Sequence, residues 1–302
     1  MSLTETTNEI KIMIGIPSFK RPQLLAKALE NLNKQTYKKF KVLVSVNGKD
    51  KDIKSYQDLE KMNTYNFNLQ FYYQNKEIDT LKNFFFLLKE CEYEYFMWLA
   101  DDDTISSNCL EKLILLLEGD KNAVTAVPYW ELVEMDKKKL IKPSNFQQNN
   151  SLLRIISFCN KTDDVFFYGL HRTKNLKNCS FKTFWPPNKN LISRWAYVYI
   201  FDLVIQGKII FDSMSNARWI NNQNHQKHYK KEHIIKRRSF NSIKFKIKNF
   251  IKSININYIY LEKIFKWGKF YYLPVMLPIL LYFFLRDMIF GEKIFKKINK
   301  AK

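Results

Sequence analysis

The sequence predicts an α/β fold of the Rossmann-like kind: a mainly parallel sheet flanked by helices, with a basic, partly apolar helical extension at the C-terminal end. Three observations predict it. Short β-branched apolar runs alternate with stretches of helical periodicity from about residue 10 to residue 100, each connection is long enough for a helix, and the composition changes beyond Trp219. Strands joined by such connections imply right-handed crossovers and parallel neighbours.

The elements follow in order. Lys11 to Pro17 is an apolar strand ended by proline. Pro22 suits the first position of a helix, and Leu24, Leu25, Ala28, Leu29 and Leu32 then recur at helical spacing down to about Gln35. Phe40 to Val46 is a second strand closed by Asn47-Gly48. Leu69 to Tyr73 is a third, followed by an apolar helix face over Leu81 to Leu88. Tyr95 to Ala100 is a fourth strand that runs directly into Asp101-Asp102-Asp103. Beyond it the pattern gives a helix from about Ser107 to Glu118, a strand over Ala123 to Val127, and an irregular stretch to about Asn150. A helix begins near Ser151, and Val165 to Leu170 is a further apolar run. A helix from Ser193 to Gln206 and a strand over Lys208 to Phe211 complete the unit. Residues 1–219 therefore read as one α/β domain and 220–302 as a basic helical region.

Composition bounds the function. The chain has 302 residues, of which 46% are apolar and 16% aromatic, which excludes disordered and fibrous classes. Lys and Arg number 50 against 29 Asp and Glu, for a formal charge of +21. From Lys227 to Lys302 there are 19 basic and 4 acidic residues, a net of +15, leaving +6 for the rest. Arg supplies only 8 of the 50, and the excess flanks Phe270 to Leu285, 16 residues without a charge. That arrangement argues against nucleic acid as the partner and for an anionic membrane surface. A helix of that length spans roughly 24 Å, short of the about 30 Å hydrocarbon core, and Pro274 and Pro278 interrupt it. The segment suits the interface better than a crossing. Cys91, Cys109, Cys159 and Cys179 show no paired spacing, and the first residues carry no secretory pattern, so a cytoplasmic protein peripheral to the inner membrane face is expected.

Three consecutive carboxylates at a strand end repel one another, and a cation relieves that repulsion. Oxygen ligands favour Mg²⁺ or Mn²⁺, held by one or two carboxylates together with substrate phosphates. A plainer alternative has Asp103 or Thr104 capping the following helix. Parallel sheets bind ligands outside the carboxyl ends of their strands, which gathers Ser18 to Arg21, Val46 to Gly48 and Asp101 to Asp103 at one rim.

These residues carry a resemblance. IGIPSFKRPQLLAKALENLNKQTYKKFKVLVSVNG, with its Gln35-Thr36-Tyr37, resembles the opening block of the family 2 glycosyltransferases of the GT-A fold. Lys82-Asn83 is similar to their basic-Asn pair, LADDD to their Asp-x-Asp strand end, and Phe167 to Thr173 (FYGLHRT) to a segment of the branch that builds bacterial surface polysaccharides. The resemblance implies a nucleotide-sugar donor, a divalent metal and an acceptor hydroxyl on a lipid-linked or growing glycan. It implies donor contacts from Pro17, Ser18, Phe19, Arg21, Asn47, Lys82, Asn83, Asp101 and Asp102, and metal ligation by Asp103 and Asp101. Val46 stands where the family commonly carries Asp. A non-catalytic assembly subunit of the same fold is the alternative that this departure leaves open.

An inverting displacement needs a general base. The resemblance points to Asp202, in a helix before Gly207-Lys208, because a carboxylate inside so apolar a helix is costly to bury without a role. Asp163-Asp164 is the competing pair, with Asp164 its nearer candidate. His171, Arg172, Trp185, His225 and His228 are candidates for acceptor or phosphate contacts, packing being the alternative for His171.

Overall fold

The computed structural model describes residues 9–48, 50–62, 64–134, 137–141, 146–160, 164–179, 195–220 and 260–289. Among them are nine strands: β1 (Ile12–Ser18), β2 (Phe40–Val46), β3 (Asn68–Tyr73), β4 (Tyr95–Trp98), β5 (Thr104–Ile105), β6 (Ala123–Glu134), β7 (Lys137–Ile141), β8 (Leu170–Arg172) and β9 (Lys208–Ile220). They form one sheet in the order β3-β2-β1-β4-β8-β6-β9-β5, with β7 folded back on β6. β1, β2, β3 and β4 pair in parallel, and β6 pairs in parallel with β9. β8 runs antiparallel between β4 and β6, so those two strands point the same way. The C-terminal ends of β1, β2, β4 and β6 therefore share one rim.

Helices among the described residues include α1 (Pro22–Asn33), α2 (Asp50–Lys61), α3 (Thr80–Lys89), α4 (Cys109–Gly119), α5 (Ser151–Asn160), α6 (Thr173–Lys177), α7 (Trp195–Gln206) and α8 (Leu273–Ile289). α1 begins on Pro22 and buries Leu25, Ala28, Leu29 and Leu32, the face its periodicity predicts. α3 starts where the Asp79 carboxylate accepts the Leu81 N–H. β1 is buried along almost its whole length, as expected of a strand covered on both faces.

Under the rim lies an aromatic cluster. The Trp98 ring stacks on Phe167 at 4.1 Å, meets Phe96 edge-on, and donates Nε1–H to the Phe84 carbonyl. Tyr199 of α7 closes the cluster against Trp98 and Phe85. These contacts fasten α3, α7 and the 3-10 turn Asp164–Tyr168 to β4.

The fold departs from the sequence reading in three places. α2 is so polar that Tyr56, the fully buried side chain among its described ones, gives no periodic signal. The stretch read as irregular holds the β6–β7 hairpin, whose polar residues lack the apolar signature of the parallel core. β9 continues past Phe211 to Ile220, pairing with β6 on both sides of a bulge at Pro128/Tyr129.

The described part of the C-terminal region packs on the sheet domain. Tyr260 lies against Phe201 and Phe158, and the Tyr272 hydroxyl sits 2.8 Å from Ser151 Oγ. Among the described residues no helix is long and apolar enough to cross a membrane.

Candidate active site

The loop after β1 and the strand end after β4 meet at the rim. Ser18 Oγ–H donates to Asp101 Oδ2 at 2.7 Å, Arg21 Nη2 pairs with Asp101 Oδ1 at 2.5 Å, and Arg21 Nη1 pairs with Asp102 Oδ2 at 3.0 Å. Between them Lys20 takes a positive φ of 56°, and among the described residues it is the non-glycine residue that does so. Backbone held in that region persists where its surroundings fix it. Here Tyr56 supplies the fixing. Its hydroxyl accepts the Arg21 N–H at 2.9 Å and lies 2.8 Å from Ser18 Oγ, so the donors run from Arg21 N–H to Tyr56, then to Ser18, then to Asp101. Tyr56 carried no motif, and a fully buried hydroxyl in a polar helix is visible only in three dimensions.

Burial pushes the Asp101 carboxyl up to about 6, with Arg21 and Ser18 opposing the shift. Asp103 is raised well above the usual carboxylate range by burial, reinforced by Asp102 and Asp101. Its Oδ1 is buried without a hydrogen-bond donor. An orphaned carboxylate oxygen beside two more carboxylates fits a hard divalent cation. Among the described residues no three His, Cys, Asp or Glu side chains converge as a complete ligand set, so a metal here would share its shell with donor phosphates and water. Asp101 is paired with Arg21 and Ser18, so of the two predicted ligands Asp103 is the one whose Oδ1 would be free for a metal. Neither Asp103 nor Thr104 caps the next helix, whose N-cap is Asn108.

The Gln-Thr-Tyr segment explains why the triplet is so placed. Gln35 Nε2–H donates to the Ser106 carbonyl and its Oε1 accepts the Leu110 N–H, while Thr36 N–H donates to the Ser107 carbonyl. Asn31 bonds both backbone groups of Ile105. The end of α1 thus clamps the chain immediately after Asp103.

Other predicted donor residues divide. Phe19 is 38% exposed at the rim with Lys20 Nζ over its ring, and Lys82 is exposed in the first turn of α3. Pro17 sits in β1 at the bend. Asn47 is occupied otherwise: its amide bonds both backbone groups of Ile78, zipping β2 to the loop before α3. Asn83 is likewise bound to Ser45 through both amide atoms. Both asparagines are thus tied to the backbone or to Ser45 and help to position the rim.

The predicted base is not at the rim. Asp202 is fully buried on α7, forms an ion pair with Lys263, and accepts the Trp267 Nε1–H at 2.9 Å. α7 descends towards Gly207, whose turn delivers Lys208 to Asn122 at the opposite edge. A Cβ on Gly207 would stand 2.4 Å from Val124 Cγ1 and 2.6 Å from the Asn122 carbonyl, so the helix end packs too closely for any side chain. Asp202 is a structural anchor whose burial is matched by a cation from the C-terminal region. Asp164, by contrast, opens the 3-10 turn that enters β8 from the rim side. The Tyr168 hydroxyl in that turn is raised by burial and then by the charges of Asp103, Asp164 and Asp102. Asp163 lies outside the described residues.

His171 and Arg172 are also structural. Burial lowers His171 to about 4; Nε2–H donates to the Phe167 carbonyl and Nδ1 accepts from Thr125. Arg172 bonds the Ala123 and Leu117 carbonyls and the Tyr95 hydroxyl at the edge away from the rim. Trp185, His225 and His228 lie outside the described residues.

Residues 13–178, more than half of the chain, match the family model described as Glycosyl transferase family 2. The chain belongs to this family. Its α/β architecture is that of the GT-A fold. Among solved structures, S. aureus TarS is 17% identical with a TM-score of 0.54, covering 82% of this chain and 43% of that one. The chain thus spans less than half of that relative. The TarS 1–349 complex with UDP-GlcNAc gives 16% identity and a TM-score of 0.52, over 85% of this chain and 73% of that one. The mannosyltransferase PcManGT from Pyrobaculum calidifontis, in complex with GDP-Man and Mn²⁺, is 9% identical with a TM-score of 0.51, covering 98% of this chain and 80% of that one. At these identities the likeness is one of fold. No curated protein matches the sequence.

Proposed function

We propose that this family 2 member is a metal-dependent, inverting glycosyltransferase. It moves a sugar from a nucleotide-sugar donor to a hydroxyl of a lipid-linked or growing cell-surface glycan of capsule, O-antigen or lipooligosaccharide type. The observation that carries the reading is the buried, donorless Asp103 Oδ1 at the end of β4, beside an Asp101 fixed by Arg21 and Ser18. The TarS complex with UDP-GlcNAc and the PcManGT complex with GDP-Man and Mn²⁺ support the donor class and the metal. Four cysteines free of disulfides suit a reducing, cytoplasmic setting.

Phe19 offers its exposed ring to the base, Lys82 offers a point charge to the diphosphate, and Arg21 holds Asp101 and Asp102 in place for the ribose and phosphate side. Asp103 would hold the metal, which neutralises charge on the departing diphosphate. Asp164, rather than Asp202, takes the acceptor hydroxyl proton, because it is the candidate base on the rim side of β8 and shares the surroundings of Tyr168 with Asp103. Attack from that side, opposite the leaving group, inverts the anomeric centre.

Calorimetric titration of the protein with UDP-GlcNAc and GDP-Man, with Mn²⁺ and then with chelator, tests the reading. Saturable binding to at least one donor that disappears on chelation is expected, with an inverted anomer in the NMR spectrum of the product. Equal affinity with and without metal overturns the metal assignment. Val46, buried where the family commonly has Asp, favours the second reading of a non-catalytic subunit, and failure to bind any of a wider panel of nucleotide sugars would support it.

A further inference from the structure

α8 is apolar on both of its faces, and only one of them is used by the fold. Tyr272, Met276 and Leu280 recur every four residues and are buried against the core. On the opposite side of the helix and in the turn before it, Phe270, Tyr271, Val275, Leu277, Leu281 and Tyr282 are between 42% and 61% exposed. At 100° per residue, Tyr271, Val275, Pro278, Leu281 and Tyr282 fall on one side of the axis and the buried set falls on the other. A contiguous exposed patch of this kind on an otherwise ordinary surface marks an interaction site.

Its margin is cationic. Lys269 stands beside it, its Nζ 3.2 Å from the Tyr271 hydroxyl and over the Tyr271 and Tyr272 rings, and exposed Lys266 lies three residues before it in the chain. The chain around the patch, from Lys227 to Lys302, carries the net +15 counted above. Aromatic rings and lysines bordering an aliphatic face suit the headgroup and acyl boundary of a bilayer, with anionic lipid answering the charge. α8 has 17 residues with Pro278 inside and is too short and interrupted to cross.

We propose that the outward face of α8, with Phe270 and Tyr271, is a peripheral docking surface for anionic membrane. The buried face, the Tyr272–Ser151 contact and the Lys263–Asp202 pair hold it rigidly to the sheet domain. This surface is independent of the transfer chemistry: it concerns where the protein sits.

The test is sedimentation of the full chain with phosphatidylcholine vesicles and with vesicles doped with phosphatidylglycerol. The wild type should pellet with the anionic vesicles, more weakly as salt rises, and far less with phosphatidylcholine alone. A Val275→Ser, Leu281→Ser, Tyr282→Ser variant should lose at least about tenfold in partitioning while keeping its thermal melt and its donor titration. A Lys266→Gln, Lys269→Gln variant should lose preference for the anionic lipid. Failure of the wild type to pellet with phosphatidylglycerol vesicles, or wild-type partitioning by the triple variant, overturns the proposal. So does a wild-type dimer in analytical ultracentrifugation that the triple variant converts to monomer while vesicle binding is absent, since a second copy would then be the occupant. Because donor binding is measured in the same variants, loss of the surface and failure of the transferase reading are separately visible.

Discussion

Arg21 Nη2 stands 2.5 Å from Asp101 Oδ1, and the same guanidinium reaches Asp102, so one side chain at the start of α1 tethers two thirds of the carboxylate triplet. Arg21→Ala strands Asp101 in a buried place without its cation. The penalty has a definite sign with pH. Asp101 already titrates near 6 with Arg21 present, so above that value the variant must bury a charge, and below it the neutral acid needs no partner. The variant should be destabilised by about 2 kcal/mol or more at pH 8 and much less at pH 5, as read from urea melts at the two values.

Tyr56→Phe removes a hydroxyl that no donor is expected to touch. It leaves the Arg21 N–H and Ser18 without their buried partner. A stability loss of about 1–3 kcal/mol is expected, together with a weaker donor KM because the β1 loop is less firmly set. Steady-state kinetics and thermal melts on one preparation would check both.

Asp103 and Asp164 should fail in different ways. Asp103→Asn is expected to abolish the metal dependence of donor binding. Asp164→Asn should keep that binding and lower kcat by about 10²–10⁴. Full turnover in the Asp164 variant would remove it from the reaction.

Asp202→Asn should behave as a packing change. Lys263 is then left buried with a neutral neighbour, at a cost of about 3–5 kcal/mol, and the double variant Asp202→Leu, Lys263→Met should recover much of it. Turnover per folded molecule should stay within a few-fold of wild type. A thousandfold loss with unchanged stability would restore Asp202 as the base.

His171 contributes an acid limit. Its folded value near 4 lies below the ordinary 6.5, so the neutral ring is favoured by folding. That contribution is full above 6.5 and is lost as pH falls towards 4, amounting to about 3 kcal/mol at most. His171→Gln should be less stable than wild type at pH 7, and the gap should close between pH 6.5 and 4 in calorimetric scans. Comparing the two proteins at each pH cancels the opposite trend from Asp101.

The parallel core and the triplet were legible because buried strands write continuous apolar runs and three carboxylates at the end of one are hard to explain otherwise. The Gln35-Thr36 clamp was recognisable as a pattern, but its purpose, tying α1 to Ser106, Ser107 and Leu110, was not. Asp202 is costly to bury, as its apolar helix implies, but the cation that meets the cost is Lys263, and nothing in a linear reading joins two residues 61 apart. Asn47 and Asn83 read as donor contacts because amides at a rim often are, and their bonds to Ile78 and Ser45 are visible only in three dimensions. Tyr56 left no trace, since one buried hydroxyl in a polar helix alters no periodicity.

The Lys263–Asp202 pair also sets an order of events during synthesis. Domains begin to fold as the chain leaves the ribosome, N-terminal parts first. β1 to β9 can assemble as soon as residue 220 has emerged, but α7 then holds an interior carboxylate whose counter-ion is still being translated. Until Lys263 and Trp267 arrive, that helix buries a carboxylate without its cation or its indole donor. Lys263 and Trp267 therefore act as a latch on a helix that precedes them by about 60 residues.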